Sequence, residues 1–213
     1  MKKILILLLI LIIPTACINV NEAYIGDLIA AIHKGGIRSP NQIRTGYRYF
    51  LPNHLTVLEI KGLNEVIKSR DFTFFMYVDL VSYHNKIEFN YEINESALDS
   101  RIISHEGVDG YLEINVKDND YLIEIVYNYA KIEVVVDAAS INEAVATALI
   151  ILSSIRFNDN IIKNMLDGNI LNFGEETLKI FETNPGDSKF LDYDQEYGVY
   201  EGEDAIPDID LIN

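Results

Sequence analysis

The spacing of apolar and polar residues predicts a run of short strands in the middle of the chain. Between residues 112 and 136, apolar side chains alternate with polar ones in three successive runs, and Asp118-Asn119-Asp120 lies between the first two. A period of two is typical of a strand with one buried and one solvated face. Three such runs in close succession favour an antiparallel meander.

Upstream of the meander, the pattern also favours strands. Residues 47–51 and 55–60 form two short candidates that meet at the turn signal Pro52-Asn53. Residues 72–83 are rich in aromatic and β-branched side chains, which predicts one long strand. Residues 87–93 alternate between apolar and polar and predict another half-buried strand.

The helical predictions are fewer. Residues 140–155 carry a broad apolar stripe at helical spacing, and Ser140 with Glu143 matches the capping-box pattern. Residues 23–33 favour a helix that ends at Gly35-Gly36, with a fraying spacer as the alternative interpretation. Further short helical segments are expected over these ranges: 63–69, 96–104, 160–166 and 175–181.

The N-terminus has the pattern of a secretory signal. Lys2 and Lys3 precede an unbroken apolar run over residues 4–13, and small residues precede Cys17, the only cysteine of the chain. The apolar run is about ten residues, whereas a membrane-spanning helix needs roughly 20. We therefore expect residues 1–16 to be a cleaved signal peptide.

The segment Ile13-Pro14-Thr15-Ala16-Cys17 resembles the lipobox of bacterial lipoproteins. The resemblance implies that the Cys17 thiol takes a diacylglyceryl group and becomes the new N-terminus. It also implies a lipid-modified (palmitate-type) protein on the extracytoplasmic face of the cell membrane. One residue departs from the pattern, because Pro14 stands where the family usually has leucine. The alternative is an ordinary signal peptide with an incidental cysteine.

Composition limits the remaining possibilities. The formal net charge is −16, which disfavours binding to nucleic acid and to anionic headgroups through charge. Residues 182–213 hold ten acidic residues and one lysine, and we expect them to form a mostly irregular tail. The expected organisation is therefore a signal peptide (1–16), a lipid-anchored linker (17–45), one α+β domain (46–181) and the acidic tail (182–213).

A second family resemblance concerns the domain itself. The segment Gly46-Tyr-Arg-Tyr-Phe-Leu-Pro52 and the later Leu152-Ser-Ser-Ile-Arg-Phe157 are similar to the opening and closing patterns of PsbP-like domains. The resemblance covers roughly residues 46–158. It implies an αβα sandwich around an antiparallel sheet and a role in binding rather than catalysis, and it supplies no catalytic residues.

The sequence contains few candidates for catalysis. The four histidines show no metal-ligand spacing. Asp79, Ser82 and His84 suggest a nucleophilic triad, but on the predicted strand Asp79 would point away from the other two. We expect no enzymatic activity and no cofactor.

Two further sets of residues are candidates for binding. In the tail, acidic residues follow part of a calcium-loop spacing, but Tyr197 stands where the loop needs glycine, so no metal site is expected. Six tyrosines fall on predicted strands, and tyrosine is common at interfaces, although packing in the core and on the sheet surface is the favoured explanation. The weak metal candidates are Asp192, Asp194, Glu196 and Glu203; the possible interface residues are Tyr121, Tyr127 and Tyr129, with Tyr77, Tyr83 and Tyr91 sharing the pattern.

Together these patterns predict a membrane-anchored surface lipoprotein with a non-catalytic binding or accessory role. Its partners would be the membrane, through lipid on Cys17, and an unidentified envelope protein. A solute- or ion-binding receptor of the envelope is the first alternative, and it requires a pocket with convergent polar groups. An envelope hydrolase is the second, and it requires titratable groups with shifted pKa values in a cleft.

Overall fold

The computed structural model describes residues 23–36 and 38–167. Over these residues the chain forms two antiparallel sheets and four helices. The elements in chain order are α1 (Ile25–Lys34), β1 (Gln42–Ile43), β2 (Tyr47–Tyr49), β3 (Thr56–Lys61), β4 (Asn64–Lys68), β5 (Thr73–Val78), α2 (Leu80–Asn85), β6 (Asp99–His105), β7 (Val108–Lys117), β8 (Asp120–Tyr127), β9 (Ala130–Val136), a 3-10 turn (Ala138–Ser140), α3 (Ile141–Ser153), β10 (Arg156–Phe157) and α4 (Asp159–Asp167).

The larger sheet has seven strands in the order β3-β4-β5-β9-β8-β7-β6, and the smaller has three in the order β1-β2-β10. Every neighbouring pair in both sheets is antiparallel. The expected α+β class and the meander over residues 112–136 are therefore confirmed. The helices predicted at residues 23–33, 140–155 and 160–166 are also present, as α1, α3 and α4.

One face of the seven-stranded sheet, called here the helix face, carries the main core. Ile67, Leu112, Ile125 and Ile132 are each fully buried on this face. Helix α3 packs against β8 and β9 and buries most of its own apolar side chains there. Each large apolar side chain removed from water in this way stabilises the fold by about 1.5–3 kcal/mol.

Helix α1 extends the packed unit into the segment expected to be a linker. It lies against α3, and its Leu28 is buried in the main core. Asn142 Nδ2, near the start of α3, donates a hydrogen bond to the carbonyl oxygen of Ala23 at 2.8 Å. Residues from Ala23 onward therefore belong to the folded unit.

The opposite face of the sheet, called here the open face, is crossed by residues 86–98, called here the strap. The Tyr91 ring stacks on Tyr111 with 4.0 Å between ring centroids. The Tyr91 hydroxyl hydrogen-bonds with Ser100 Oγ and donates to Glu113. The strap therefore covers the β6–β7–β8 part of this face.

The strap corrects the strand predicted at residues 87–93. The apolar side chains of Phe89 and Tyr91 do face the sheet, which explains the alternation. The backbone of this segment lies across the sheet, however, and forms no strand. The helix predicted at 96–104 is also wrong, because this stretch contains β6, which pairs with β7 at seven positions.

Two further predictions are wrong for local reasons. The predicted strand over 72–83 ends at Val78, because Asp79 Oδ1 accepts a hydrogen bond from Ser82 N at 2.8 Å and starts α2. The helical turn expected at 63–69 is β4, because β3 and β5 pair with it on both sides and their ladders override local preference.

The two strands predicted on either side of Pro52 are present as β2 and β3, although they belong to different sheets and do not pair with each other. One smaller expectation fails. The Ser140 side chain makes no capping hydrogen bond; instead Asp137 Oδ1 accepts from Ser140 N at 2.9 Å and caps the preceding 3-10 turn.

Candidate functional site

A cluster of charged side chains lies on the open face near the middle of the seven-stranded sheet. Glu124 of β8 and Glu133 of β9 are directly opposite each other in the ladder. Lys131 Nζ lies 3.0 Å from Glu133 Oε1 and 3.9 Å from Glu124 Oε2. Tyr111 donates its hydroxyl to Glu124. We call these four residues the carboxylate cluster.

The two glutamates form an unusual pair, because like charges directly opposite in a sheet are destabilising. Burial and, to a smaller extent, the neighbouring charge of Glu133 raise the pKa of Glu124 to about 7, against the opposing effects of Lys131 and Tyr111. The Glu124 carboxyl therefore keeps its proton to a much higher pH than an ordinary glutamate does. The Lys131 ammonium and the proton on Glu124 together balance the negative charge that the two carboxyl groups would otherwise carry.

Glu133 has one polar atom that is not well satisfied. Its side chain is about nine-tenths buried, and Oε1 has no hydrogen-bond partner. The Lys131 ammonium, at 3.0 Å, gives this oxygen an ionic contact without hydrogen-bond geometry. The cluster is thus electrostatically balanced but incompletely hydrogen-bonded.

A small cavity adjoins the cluster on the open face. Its volume is about 40 Å³, whereas a site for a drug-sized molecule has about 300–1,000 Å³. Since one water needs about 10–15 Å³ by this measure, the cavity holds roughly three waters. It suits water or a very small ligand. Its lining includes Glu59, Lys61, Asn64, Phe75, Tyr77 and Glu133.

Within residues 23–36 and 38–167, no three histidine, cysteine or acidic side chains come together as a metal-binding group. In the carboxylate cluster, the Lys131 ammonium takes the place next to both carboxyl groups that a cation would need.

A second buried cluster joins the two sheets. Glu65 of β4 is 1% exposed and accepts hydrogen bonds from Tyr47 Oη at 2.7 Å and Tyr49 Oη at 2.6 Å. Arg44 adds Nε at 3.0 Å and Nη2 at 2.7 Å. Burial, followed by the Glu65 charge, raises the pKa of both tyrosines well above its usual range, so both remain donors. This arrangement, called here the Glu65 cluster, is fully satisfied and structural.

A histidine pair lies where α1 passes β6. The rings of His33 and His105 stack with 4.4 Å between centroids and 11° between planes, and Tyr127 is 5.4 Å from His33. Burial lowers the pKa of His33, and the charge of His105 lowers it further, partly offset by Glu106. Because nearly parallel rings direct their lone pairs along parallel planes, the pair is poorly arranged to chelate a metal. An open groove of about 620 Å³ runs alongside.

The three tyrosines named as possible interface residues do not share one surface. Tyr121 is half-buried at the start of β8, and Tyr127 is 4% exposed near its end. Six residues along a strand separate them by about 20 Å. Tyr129 lies in the turn after β8 and contacts Tyr83 and Phe157.

Asp79, Ser82 and His84 do not form a triad, although the local geometry differs from the expected strand. Ser82 Oγ donates to Asp79 Oδ2 at 2.6 Å within the cap of α2, and Ser82 is fully buried. His84 follows two positions later on the helix, which places it about 200° around the axis from Ser82. Ser82 therefore has a carboxylate partner and a structural role.

Cys17 and the weak metal candidates Asp192, Asp194, Glu196 and Glu203 lie outside the described residues. The carboxylate cluster was not singled out from the sequence. Glu124 and Glu133 each stand between apolar residues in an alternating run, which is the ordinary pattern of a solvated strand face. Only the register of β8 against β9 shows that they face each other.

No protein-family model matches the chain, and no curated protein and no solved structure matches it. The functional proposal therefore depends on the sequence and on the geometry of the described residues.

Proposed function

We propose that this protein is a lipid-anchored protein of the bacterial cell envelope that acts by binding and not by catalysis. The observation that carries the proposal is the position of Cys17. The only cysteine of the chain follows a charged start, a ten-residue apolar run and two small residues. This order is typical of a signal followed by a lipid attachment site.

The start of the folded unit supports a tethering role for this end of the chain. Ala23 is held by the hydrogen bond from Asn142, and it lies six residues after Cys17. Six residues span at most about 22 Å when fully extended. A lipid on Cys17 would therefore hold the domain close to the bilayer, and an envelope partner would be met there. Among the described residues, none of the helices combines the length and apolar character required to span a bilayer.

The cavities favour a binding or accessory role over a solute receptor. A receptor encloses most of its ligand in a pocket of about 300–1,000 Å³. The cavity beside the carboxylate cluster has about 40 Å³, and the larger groove beside His33 is open to solvent and does not enclose a ligand. For a hydrolase, the Glu124 carboxyl is the titratable group with a raised pKa, but it lies beside a cavity too small for a substrate chain.

We further infer that the domain is related to PsbP-like domains. Support comes from the antiparallel sheet, from α3 running directly into β10, and from the motif that opens with Gly46. Gly46 has φ of +93°, and a Cβ at this position would lie 2.9 Å from Leu80 Cδ1. Glycine at the start of this motif therefore has a steric cause.

Metabolic labelling with a palmitate analogue tests the anchor. The wild-type chain should take up label and sediment with membranes, and Cys17→Ser should lose both properties. Thr15→Ser, two residues away, is the matched control and should keep both. An unlabelled wild-type chain, or equal membrane retention of Cys17→Ser, contradicts the proposal.

Crosslinking in intact cells tests the binding role. Tyr121 and Tyr129 lie near opposite ends of β8, and a photo-crosslinking residue at one of these two positions should capture an envelope protein. The same residue at Ile161, which is 39% exposed on α4, is the control. Equal capture from all three positions, or none, argues against an interface at the tyrosines.

A further inference from the structure

The two edges of the seven-stranded sheet differ in how they are covered. At the β6 edge, α1 lies alongside: Arg101 sits over the Tyr24 ring at 5.3 Å, and His33 stacks on His105. At the β3 edge, every residue of the strand except Val57 is exposed, and no described strand pairs with its outer side. An exposed edge strand offers its backbone donors and acceptors to another strand.

The side chains of β3 are unusual for a solvated edge. Leu58 is 61% exposed and Ile60 is 51% exposed, so two large apolar groups lie in water within three residues. Glu59 and Lys61 are exposed as well and flank Ile60 with opposite charges. The ladder to β4 is irregular between Val57 and Glu59, so the regular part of the edge is centred near Ile60.

We propose that β3 is a self-association edge, where two copies of this chain pair antiparallel with Ile60 on a two-fold axis. A two-fold axis normal to the sheet keeps the same face of both copies on the same side. Two residues that lie directly opposite each other must then point to the same side of the sheet. Because side chains alternate between the two faces of a strand, the numbers of such a pair must add to an even value.

Charge selects one register among these pairings. With Ile60 opposite Ile60 of the second copy, Glu59 lies opposite Lys61 of the second copy, and the same pair repeats by symmetry. The next allowed pairing lies two residues away in either direction. In one direction it places Glu59 opposite Glu59 of the second copy, and in the other it places Lys61 opposite Lys61 of the second copy. Opposite charges in a cross-strand pair are favourable and like charges are unfavourable.

The contact is small, which sets the expected strength. Only three residues of each strand, 59–61, would pair, because β3 ends at Lys61. A standard stable interface, by contrast, buries about 1,200–2,000 Å². We therefore expect a weak dimer whose population rises with protein concentration. This inference does not depend on the lipid anchor.

Disulfide trapping in the full chain tests the register. Cys17→Ser removes the native thiol, and Ile60→Cys then places two thiols opposite each other, with Cβ atoms about 4.5–5.5 Å apart, close to disulfide geometry. Leu58→Cys on the same strand is the matched control, because its two copies would be offset by about 13 Å along the strands. Ile102→Cys, 53% exposed on the β6 edge, is the second control.

Ile60→Cys should form a disulfide-linked dimer much faster than either control. Equal rates at all three positions, or faster trapping at Leu58→Cys, overturn the proposed register. Trapping of Ile60→Cys to a different protein in cells, with none to a second copy, overturns self-association.

Charge reversal provides an independent test by sedimentation equilibrium. Glu59→Lys alone and Lys61→Glu alone should each weaken the wild-type dimer by about tenfold in Kd. The double variant should recover association, and a mixture of the two single variants should form a heterodimer. A monomeric wild-type chain at all concentrations up to about 1 mM, which corresponds to a binding free energy near −4 kcal/mol, also overturns the proposal.

Discussion

Tyr49 donates its hydroxyl to Glu65 Oε2 at 2.6 Å, and this hydrogen bond joins the three-stranded sheet to the seven-stranded sheet. Both residues are within 1% of complete burial. A buried carboxylate is costly unless its lone pairs are satisfied. Glu65 is satisfied because Tyr47, Tyr49 and Arg44 supply four hydrogen-bond donors. The two tyrosine hydroxyls of β2 therefore offset part of the free-energy cost of burying the Glu65 charge.

Removing the tyrosine hydroxyls should therefore destabilise the protein. Tyr49→Phe and Tyr47→Phe each keep the ring but remove a donor to a buried charge, which costs about 1.5–3 kcal/mol. Urea unfolding followed by circular dichroism measures the change in the free energy of unfolding. Because both hydroxyls share one acceptor group, we expect the double variant to deviate from additivity.

Tyr121→Phe is the control for these variants. Tyr121 is half-buried, and its hydroxyl is not part of the Glu65 cluster. We expect a change within about 0.5 kcal/mol, as for substitutions away from buried polar networks. If Tyr49→Phe is as mild as this control, the Glu65 cluster does not stabilise the fold.

The sequence predicts the placement of two of the four residues of the Glu65 cluster, Tyr47 and Tyr49. The spacing of Tyr47 and Tyr49 places both side chains on one face of a strand, as observed. Glu65 was expected in a helical turn, because residues 63–69 are too few to establish a period on their own. Its burial follows from the ladders to β3 and β5, which bring it under the tyrosines of a separate sheet.

The carboxylate cluster should make stability depend on pH. The pKa of Glu124 is about 7 in the folded protein, against 4.5 ordinarily. The folded state therefore binds the proton of the Glu124 carboxyl more tightly than the unfolded state does. The stability that comes from this proton is fully present below pH 4.5 and is lost as the pH rises through 7. The stability lost over this pH range is on the order of 3 kcal/mol. Glu124→Gln cannot ionise and should flatten the stability profile between pH 5 and pH 8.

Glu133→Gln provides the second arm of this experiment. Removing the opposing charge should lower the pKa of Glu124 and move the loss of stability to lower pH, without abolishing it. Urea unfolding at half-unit pH intervals measures both variants against wild type. A Glu124→Gln profile with the same slope as wild type contradicts the assignment of the titrating group.

Gly110 should tolerate no side chain. A Cβ at this position of β7 would lie 2.1 Å from the carbonyl oxygen of Val126 on the paired strand β8, so the backbone itself must move. We expect Gly110→Ala to cost at least about 3 kcal/mol, at the upper end for overpacking. Thermal unfolding of the variant measures the loss.

Gly107→Ala is the matched control in the neighbouring turn. Gly107 has φ of +80°, but nothing lies within 4 Å of the added Cβ. The expected cost is about 1–2 kcal/mol of backbone strain. Similar losses for the two alanine variants would show that strand contact at Gly110 is not the cause.

The strand pattern shows why some elements were predictable and others were not. β7, β8 and β9 are joined by short turns and alternate cleanly, so sequence period and tertiary pairing agree. β6 is an edge strand with a mixed face, and its exposed Ile102 breaks the apolar period. The strap alternates like a strand because its aromatic side chains pack on Tyr111, while its backbone pairs with no neighbour as a strand.

The histidine pair and the carboxylate cluster should have opposite effects on stability at acidic pH, because acidification destabilises the protein through His33 and stabilises it through Glu124. Burial and the nearby His105 lower the pKa of His33 below 6.5, so its protonation favours the unfolded state. The stability contributed by the neutral His33 imidazole is fully present above pH 6.5 and is lost as the pH falls. His33→Phe keeps an aromatic ring beside His105 and Tyr127 but cannot take up a proton. Relative to wild type, the variant should therefore gain stability as the pH is lowered from 7 to 5.

The groups facing His33 allow this effect to be separated from that of Glu124. His105 and Glu106 come from the β6–β7 hairpin and Tyr127 from β8, whereas Glu124 lies on the opposite face of the sheet. His54→Phe, in an exposed turn, controls for replacing one histidine by phenylalanine. A difference between His33→Phe and wild type that stays constant from pH 7 to pH 5 would show that the stacked pair packs without titrating. A difference that grows on acidification, also when Glu124→Gln is present, assigns the acid-side loss to His33.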